Sequence, residues 1–168
     1  LAFAVSFDGP IAIRYPRGSA HQGLREYQAP VEYGRSEIIR KGKKIAVLGV
    51  GSMIPSCMEI CKGLKDDGYD PTFVNARFVK PLDVDLLDEL AKDHSLFVTV
   101  EENVKSGGYG EHVSAYMEAC HPEIRVLSAA VWDRFVPQGN VESLRSRIGL
   151  GVEDIRQAIE DSEELREQ

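Results

Sequence analysis

The stretch from Lys43 to Asp83 decides the fold and reads KKIAVLGVGSMIPSCMEICKGLKDDGYDPTFVNARFVKPLD. It opens with an apolar run, residues 45–50, bounded by lysines and glycines, as in a strand buried on both faces. Gly68 ends the helix predicted after it, and Thr72–Val74 begins a second strand. The apolar residues of that helix recur on one face: Ile54, Cys57, Met58, Cys61 and Leu64. Strand, helix and strand in this order predict a βαβ unit.

Composition narrows the class of protein. The chain has 168 residues, 43% of them hydrophobic and 28% charged, which fits one ordinary globular domain. A net charge of −7 without a long basic run argues against binding to nucleic acid or anionic membranes. The three cysteines are an odd number, and two lie on the apolar helix face. We favour buried free thiols in a reducing cytoplasm over a CxxxC metal site, which has no histidine nearby.

The beginning of the chain suggests a piece of a longer protein, because its first residue is Leu1 and no secretory signal follows. Leu1–Ser6 resembles the end of a helix, and Ile11–Ile13 predicts a short buried strand. Just past that strand comes the segment RYPRG, which places Arg14 and Arg17 on one loop. Guanidinium groups fit phosphate or carboxylate, and strand ends are where α/β folds bind ligands. Two solvated arginines at a domain edge are the alternative.

Residues 19–33 are predicted to be a linker, since they are largely polar and lack periodicity. Gly34–Arg40 alternates weakly, and Lys41–Lys43 has the composition of a turn. We expect Gly34–Arg40 to form a hairpin with Lys44–Val50. This pairing would add an antiparallel edge strand to an otherwise parallel sheet.

Two loops at predicted strand ends are candidate binding elements. Gly49–Ser52 invites a dinucleotide-binding interpretation, but the third glycine of that fingerprint is replaced by Ile54, and no acidic residue ends the second strand. A tight strand-to-helix turn is favoured there. Arg77 and Lys80 lie in the loop after the second strand. They could bind an anion, contact a partner domain or be solvated charges at the rim of the fold.

A third predicted strand, Ser95–Val100, runs into Glu101 and Glu102. Paired carboxylates suit acid–base chemistry or a metal, but salt bridges to arginines of neighbouring loops are the favoured interpretation. The glycine-rich loop Ser106–Gly110 then opens a helix, where it either binds phosphate or allows the helix to pack closely on the sheet.

The remaining pattern predicts a fourth strand at Glu123–Ser128 and an aromatic loop at Trp132–Gly139 that is a plausible contact surface. Asn140 is expected to cap a short helix. A last helix is predicted around Val152–Ile159.

Taken in order, these motifs resemble the C-terminal part of the 1-deoxy-D-xylulose-5-phosphate synthases, thiamine-diphosphate enzymes of the transketolase superfamily. RYPRG and NARFVKPLD are the most specific pair, followed by VEEN and SGGYG. The resemblance implies a transketolase C-terminal domain. Its fold is an α/β/α sandwich of three layers, with about five strands in a mostly parallel sheet and one antiparallel edge strand. The strand pattern above agrees with it.

The resemblance also implies a function. Family members condense pyruvate with glyceraldehyde 3-phosphate, release carbon dioxide and use thiamine diphosphate and Mg²⁺. Arg17 matches the family arginine that grips the phosphate of the aldehyde, and Arg14 is a second substrate-binding candidate that supports the loop. No Gly-Asp-Gly segment for the magnesium diphosphate occurs here. We therefore expect no catalytic, cofactor-binding or metal-binding residue in this chain, and no activity of the chain alone.

The implied organisation divides the chain into four parts. Residues 1–18 are the tail of a preceding pyrimidine-binding domain, residues 19–33 a linker, residues 34–160 the transketolase C-terminal domain and residues 161–168 a charged tail. The implied partners are the rest of the enzyme chain and a second copy in a cytoplasmic homodimer. The alternatives are an assembly domain, as in a transketolase or a 2-oxo-acid dehydrogenase beta subunit, and a nucleotide-binding module built on Gly49–Ser52.

Overall fold

A computed structural model describes residues 1–15, 23–24, 26–27 and 29–162. Their strands are β1 Glu37–Arg40, β2 Lys44–Gly49, β3 Thr72–Asn75, β4 His94–Val104 and β5 Arg125–Val131. Their α-helices are α1 Ala2–Ser6, α2 Ile54–Asp66, α3 Val84–Ala91, α4 Tyr109–Cys120, α5 Val141–Arg147 and α6 Val152–Glu160. A 3₁₀ turn, Gly51–Met53, leads into α2. Within these ranges, no helix is both long and apolar enough to cross a membrane.

The strands form one sheet in the order β1-β3-β2-β4-β5, with β1 antiparallel to β3 and the other neighbours parallel. Alternate residues of β2 enter two separate cores. Ile45 and Val47 pack with α2 and α6, whereas Ala46 and Leu48 pack with α3 and α4. Both faces of β2 are therefore buried, which explains its uninterrupted apolar run. The predicted α/β/α fold, with five strands and one antiparallel edge strand, is confirmed.

The predicted pairing of the edge strand was wrong. β1 does not form a hairpin with β2 but lies against β3, where Ile38 pairs with Val74. The turn from β1 to β2 instead runs in close contact with the residues at the start of β3. Gly42 N donates to Thr72 Oγ1 over 2.9 Å, and a Cβ on Gly42 would lie 2.1 Å from the carbonyl oxygen of Asp70. This close approach of two backbones requires glycine, and it carries the chain past β3 to the centre of the sheet.

Two predicted strands also need correction. Ile11–Ile13 is neither a strand nor buried: its isoleucines are exposed, and no strand of the described chain pairs with it. The fourth predicted strand, Glu123–Ser128, begins and ends later, as β5. Its register with β4 explains the shift, since Leu96 pairs with Arg125 and Val104 pairs with Val131.

The predicted residues at the ends of three helices are confirmed. Gly68, with a φ of +93°, follows α2 as expected. Asp83 caps α3 by accepting from Leu86 N, and Asn140 caps α5 by accepting from Glu142 N.

The order of the strands places a topological switch point between β2 and β4. From β2 the chain runs through α2 to β3 on one side, and from β4 it runs through α4 to β5 on the other. In open α/β sheets the crevice at the carboxyl ends of two such strands is where ligands bind. A ligand site is therefore expected among the residues that follow β2 and end β4.

Candidate functional site

The carboxyl ends of β2 and β4 bring together a set of polar side chains. β4 runs further than its apolar sequence predicts, so that Glu101, Glu102 and Asn103 lie within the strand. Ser52 follows β2, and the backbone joins the two strand ends through Val50 N, which donates to the carbonyl oxygen of Val100 over 3.0 Å. Because side chains alternate along a strand, Glu101 and Asn103 face one side of the sheet and Glu102 the other.

Glu101 is fully buried and serves as the anion at the start of α4. One of its carboxylate oxygens accepts from Gly110 N over 2.7 Å, and the other accepts from Tyr109 N over 3.0 Å. The residue at the N-cap position, Gly108, supplies no side-chain cap. A carboxylate from β4 thus accepts from the free backbone N–H groups of α4 and interacts favourably with the positive end of the helix dipole.

The glycine-rich loop Ser106–Gly110 packs closely rather than leaving an open cradle. A Cβ on Gly108 would lie 2.7 Å from Glu101 Oε1, and one on Gly110 would lie 2.3 Å from the hydroxyl of Ser128. The position that an anionic ligand takes at a helix N-terminus is held here by the carboxylate of Glu101. Of the two interpretations of this loop, close packing is the one that the geometry supports.

Glu102 points away from Glu101 and forms the predicted salt bridge. Arg145 donates from Nε to Glu102 Oε1 over 3.1 Å, its Nη2 lies 3.0 Å from the same oxygen, and Ser52 donates to Oε2 over 2.7 Å. Burial opposes the charged form of Glu102, but the hydrogen bonds from Arg145 and Ser52 outweigh it and lower the pKa of Glu102 from its ordinary value. The salt-bridge prediction is therefore confirmed for Glu102, with a partner on α5 rather than on a loop. Among the described residues Glu101 forms no ion pair and accepts instead from two backbone N–H groups and the side-chain amide of Asn103.

Of the two arginines of RYPRG, Arg14 lies in the described part of the chain and Arg17 lies outside it. The Arg14 side chain is exposed, and its Nη1 donates to the side-chain oxygen of Asn103. The amide nitrogen of Asn103 in turn donates to Glu101 over 2.7 Å. The segment that contains Arg14 is thereby joined to the end of β4 at the switch point.

Sequence reasoning missed Asn103, although the motif VEEN contains it. The signal was the two-residue period of a strand, which places Asn103 on the same face as Glu101. The partners of Glu102, Ser52 and Arg145, have no such signal, because they come from distant parts of the chain that only the folded sheet brings together.

The second basic candidate, Arg77, is engaged within the chain. Its guanidinium lies 2.6 Å from the carboxylate of Glu37 on β1 and donates to the carbonyl oxygens of Ala29 and Pro30 over 3.1 and 3.0 Å. Arg77 thus connects the residues that precede β1 to the edge strand itself. These contacts favour a structural role over the binding of an external anion.

Among the described residues, the thiols and histidines show no reactive arrangement. Cys57 and Cys61 are free and buried, while Cys120 is free and exposed. Burial raises the pKa of Cys61 to about 12 and that of Cys57 well above its ordinary value. His94 lies between the hydroxyl of Thr72 and a backbone carbonyl. Within the described ranges, no group of three or more His, Cys, Asp or Glu residues could hold a metal ion.

Comparison with known proteins gives a consistent result. Residues 34–155 match the family model described as transketolase, C-terminal domain. The chain is 41% identical over 156 residues to 1-deoxy-D-xylulose-5-phosphate synthase from Lachnoclostridium phytofermentans, covering 92% of this chain and 25% of the relative. It is 40% identical over 157 residues to the synthase of the same name from Dictyoglomus thermophilum, covering 93% and 25%. The chain thus spans about a quarter of the length of these curated relatives.

Solved structures share the fold. A structure described as a split gene transketolase, inactive beta4 tetramer, superposes with a TM-score of 0.75 at 28% identity, covering 82% of this chain and 44% of that one. Transketolase from Campylobacter jejuni superposes with a TM-score of 0.54 at 18% identity, covering 81% of this chain and 20% of that one. At that identity the likeness concerns the fold alone.

Proposed function

Because the chain belongs to the transketolase C-terminal domain family, we propose that it is the C-terminal part of a 1-deoxy-D-xylulose-5-phosphate synthase. The observation that carries this proposal is the length of the matches. The alignments with two synthases cover 156 and 157 residues, more than the 34–155 range of the family model can hold. They therefore include residues outside the domain, where the segment RYPRG precedes it.

The proposed activity of the complete enzyme is the condensation of pyruvate with glyceraldehyde 3-phosphate, with loss of carbon dioxide, in the cytoplasm. Thiamine diphosphate, with Mg²⁺, would supply the carbanion chemistry that this reaction needs. The described residues do not fit these groups. Glu101 fills the start of α4, where a diphosphate would bind, and no set of metal ligands is present in the described ranges. We assign the binding of both groups to other parts of the enzyme chain.

Within this chain the proposed substrate residues are Arg17 and Arg14. Arg17 grips the phosphate of the aldehyde, since a planar guanidinium forms paired hydrogen bonds with phosphate oxygens. Arg14 supports the loop that carries Arg17. The contact of Arg14 with Asn103 is consistent with that supporting role.

The test is Arg17→Ala in the complete enzyme. Loss of a charged clamp on phosphate is worth ~2–4 kcal/mol, so we expect the KM for glyceraldehyde 3-phosphate to rise about 30- to 1,000-fold. The KM for pyruvate should change far less. Arg125→Ala is the matched control, because it removes an exposed guanidinium at the opposite, amino end of β5. An unchanged KM for the aldehyde in Arg17→Ala would defeat the assignment.

We also propose that the 168-residue chain is inactive by itself and contributes to a homodimer. The proposed division is a domain tail at residues 1–18, a linker at 19–33, the domain at 34–160 and a tail at 161–168. The similar split gene transketolase, described as an inactive beta4 tetramer, supports this expected inactivity. Assays of the purified chain should detect no synthase product, and light scattering should show association. Product formed by this chain alone would contradict the proposal.

The split gene relative also favours a second candidate, an assembly subunit of a divided transketolase. The two candidates differ in their substrates. A synthase consumes pyruvate, whereas a transketolase transfers a two-carbon unit between sugar phosphates. Measuring both reactions on the complete enzyme separates them.

A further inference from the structure

Asn103 stands between a buried anion and an exposed cation. Its amide nitrogen donates to Glu101 Oε2 over 2.7 Å, and its amide oxygen accepts from Arg14 Nη1. Glu101 is fully buried and is held at the start of α4 by Tyr109 N and Gly110 N. A continuous chain of hydrogen bonds therefore runs from a fixed helix terminus inside the domain to the loop outside it.

The chemistry of the two neighbours fixes the orientation of the amide. A carboxylate accepts hydrogen bonds and a guanidinium donates them, so only one orientation of Asn103 satisfies both. Glu101 cannot rotate without leaving the backbone N–H groups of α4 unpaired, which is costly in a buried place. The oxygen of Asn103 is consequently held outward, ready to receive Arg14. An aspartate would pair with Arg14 but would face Glu101 without a proton to donate.

We propose that Asn103 is a positioning residue, which holds Arg14 at the end of β4 for the binding of a phosphorylated substrate. This inference rests on the proposed function. Asn103 touches no substrate in this scheme. It transmits the rigidity of β4 and α4 to a loop whose described residues, including Ile13 and Tyr15, are otherwise exposed. The adjacent Glu102 cannot serve in this way, because it faces Arg145 and Ser52.

The experiment is a double-mutant cycle in the complete enzyme with Asn103→Ala, Arg14→Ala and both together. We expect each single variant to raise the KM for the phosphorylated aldehyde about 10- to 150-fold, the range for one hydrogen bond to a charged group. The KM for the keto acid and kcat should stay within about twofold. Because both residues act through one contact, the double variant should raise this KM only about as much as the more impaired single variant does.

Two further variants separate positioning from general damage. Asn103→Asp should fail to restore the KM for the aldehyde, although a simple attraction to Arg14 would predict tighter binding. Asn140→Ala is the matched control, since it removes another hydrogen-bonded asparagine side chain. Asn140 accepts from backbone N–H groups at the start of α5, and in the described part of the chain no hydrogen bond joins it to Arg14 or Glu101. Its KM for the aldehyde should equal that of the wild type.

The outcomes distinguish the inference from its premise. A wild-type enzyme without synthase activity overturns the proposed function and the substrate role of Asn103 with it. Additive changes in KM in an active enzyme, or a rise shared equally by both substrates, overturn the role of Asn103 alone. Arg14→Ala lies on an exposed loop, so it reports on the contact even where Asn103→Ala lowers the yield of folded protein.

Discussion

Replacing Glu101 by alanine should destabilise the domain far more than the same change at the next residue, Glu102. Glu101 is fully buried and accepts three hydrogen bonds, from Tyr109 N, Gly110 N and Asn103 Nδ2. The side chain of Glu102 is 38% exposed and pairs with Arg145, itself 23% exposed. The two glutamates are adjacent in sequence and differ in what their carboxylates hold.

The magnitude follows from those partners. In Glu101→Ala two backbone N–H groups at the start of α4 lose their acceptor, and loss of an N-terminal cap costs about 0.5–2 kcal/mol. Stranded buried donors add about 1–3 kcal/mol, while removing a buried charge returns part of this sum. We expect the free energy of unfolding to fall by about 3 kcal/mol. Glu102→Ala should cost at most about 1 kcal/mol, as is usual for partly exposed ion pairs.

The assay is urea and thermal unfolding followed by far-UV circular dichroism, because Trp132 is 58% exposed and its fluorescence would respond weakly to unfolding. For a domain of this size a loss of about 3 kcal/mol lowers Tm by about 6–12 °C. Glu101→Gln keeps the volume of the side chain but turns an NH₂ group toward N–H donors, so it should fall between wild type and Glu101→Ala. Equal losses in Glu101→Ala and Glu102→Ala would refute the reasoning.

Two further predictions concern the thiols and the pair formed by α3 and α4. At pH 8 a thiol reagent should label one cysteine per folded chain, Cys120, and three in denaturant, because burial keeps the two thiols of α2 protonated; fast labelling of more than one native thiol contradicts this. Hydrogen bonds from His121 and Tyr116 lower the pKa of Asp88. The ionised form of Asp88 therefore stabilises the fold fully above the ordinary carboxyl pKa of about 3.9. This stabilisation is lost as the pH falls through the lowered pKa of the folded state. Asp88→Asn should therefore lower Tm at pH 7, with a difference from wild type that shrinks below pH about 4; a difference independent of pH would count against it.

Periodicity in the sequence predicts the buried elements of this fold and fails where long-range contacts choose between arrangements. The run Ile45–Leu48 identifies a central strand, since apolar residues on both faces have to be covered. The partner of β1 had no comparable signal. Local spacing favours a hairpin, but the approach of Gly42 to the backbone at Asp70 belongs to the tertiary structure and sends the chain past β3. Such contacts between distant residues decide the register of edge strands.

In the candidate site, too, the sequence predicts the residue types but not their long-range partners. The sequence picks out Glu101 and Glu102 as charged residues at a strand end, yet their burial and partners depend on which way each one faces. The pleat sends Glu101 and Asn103 toward α4 and Glu102 toward α5. A charge at a strand end is therefore ambiguous until its face is assigned, and the two-residue period assigns it without coordinates once the strand is extended through residue 103.

The switch point of this sheet carries contacts within the chain in the place where doubly wound folds bind ligands. Glu101 takes the role of an anion at the start of α4, Glu102 ties β4 to the residues after β2 and to α5, and Asn103 reaches the loop before the domain. The start of α4 is thus occupied by a carboxylate of the chain itself. The same geometry is what the proposed positioning role of Asn103 requires, because rigidity at a strand end is transmitted through hydrogen bonds whose donors and acceptors permit one arrangement.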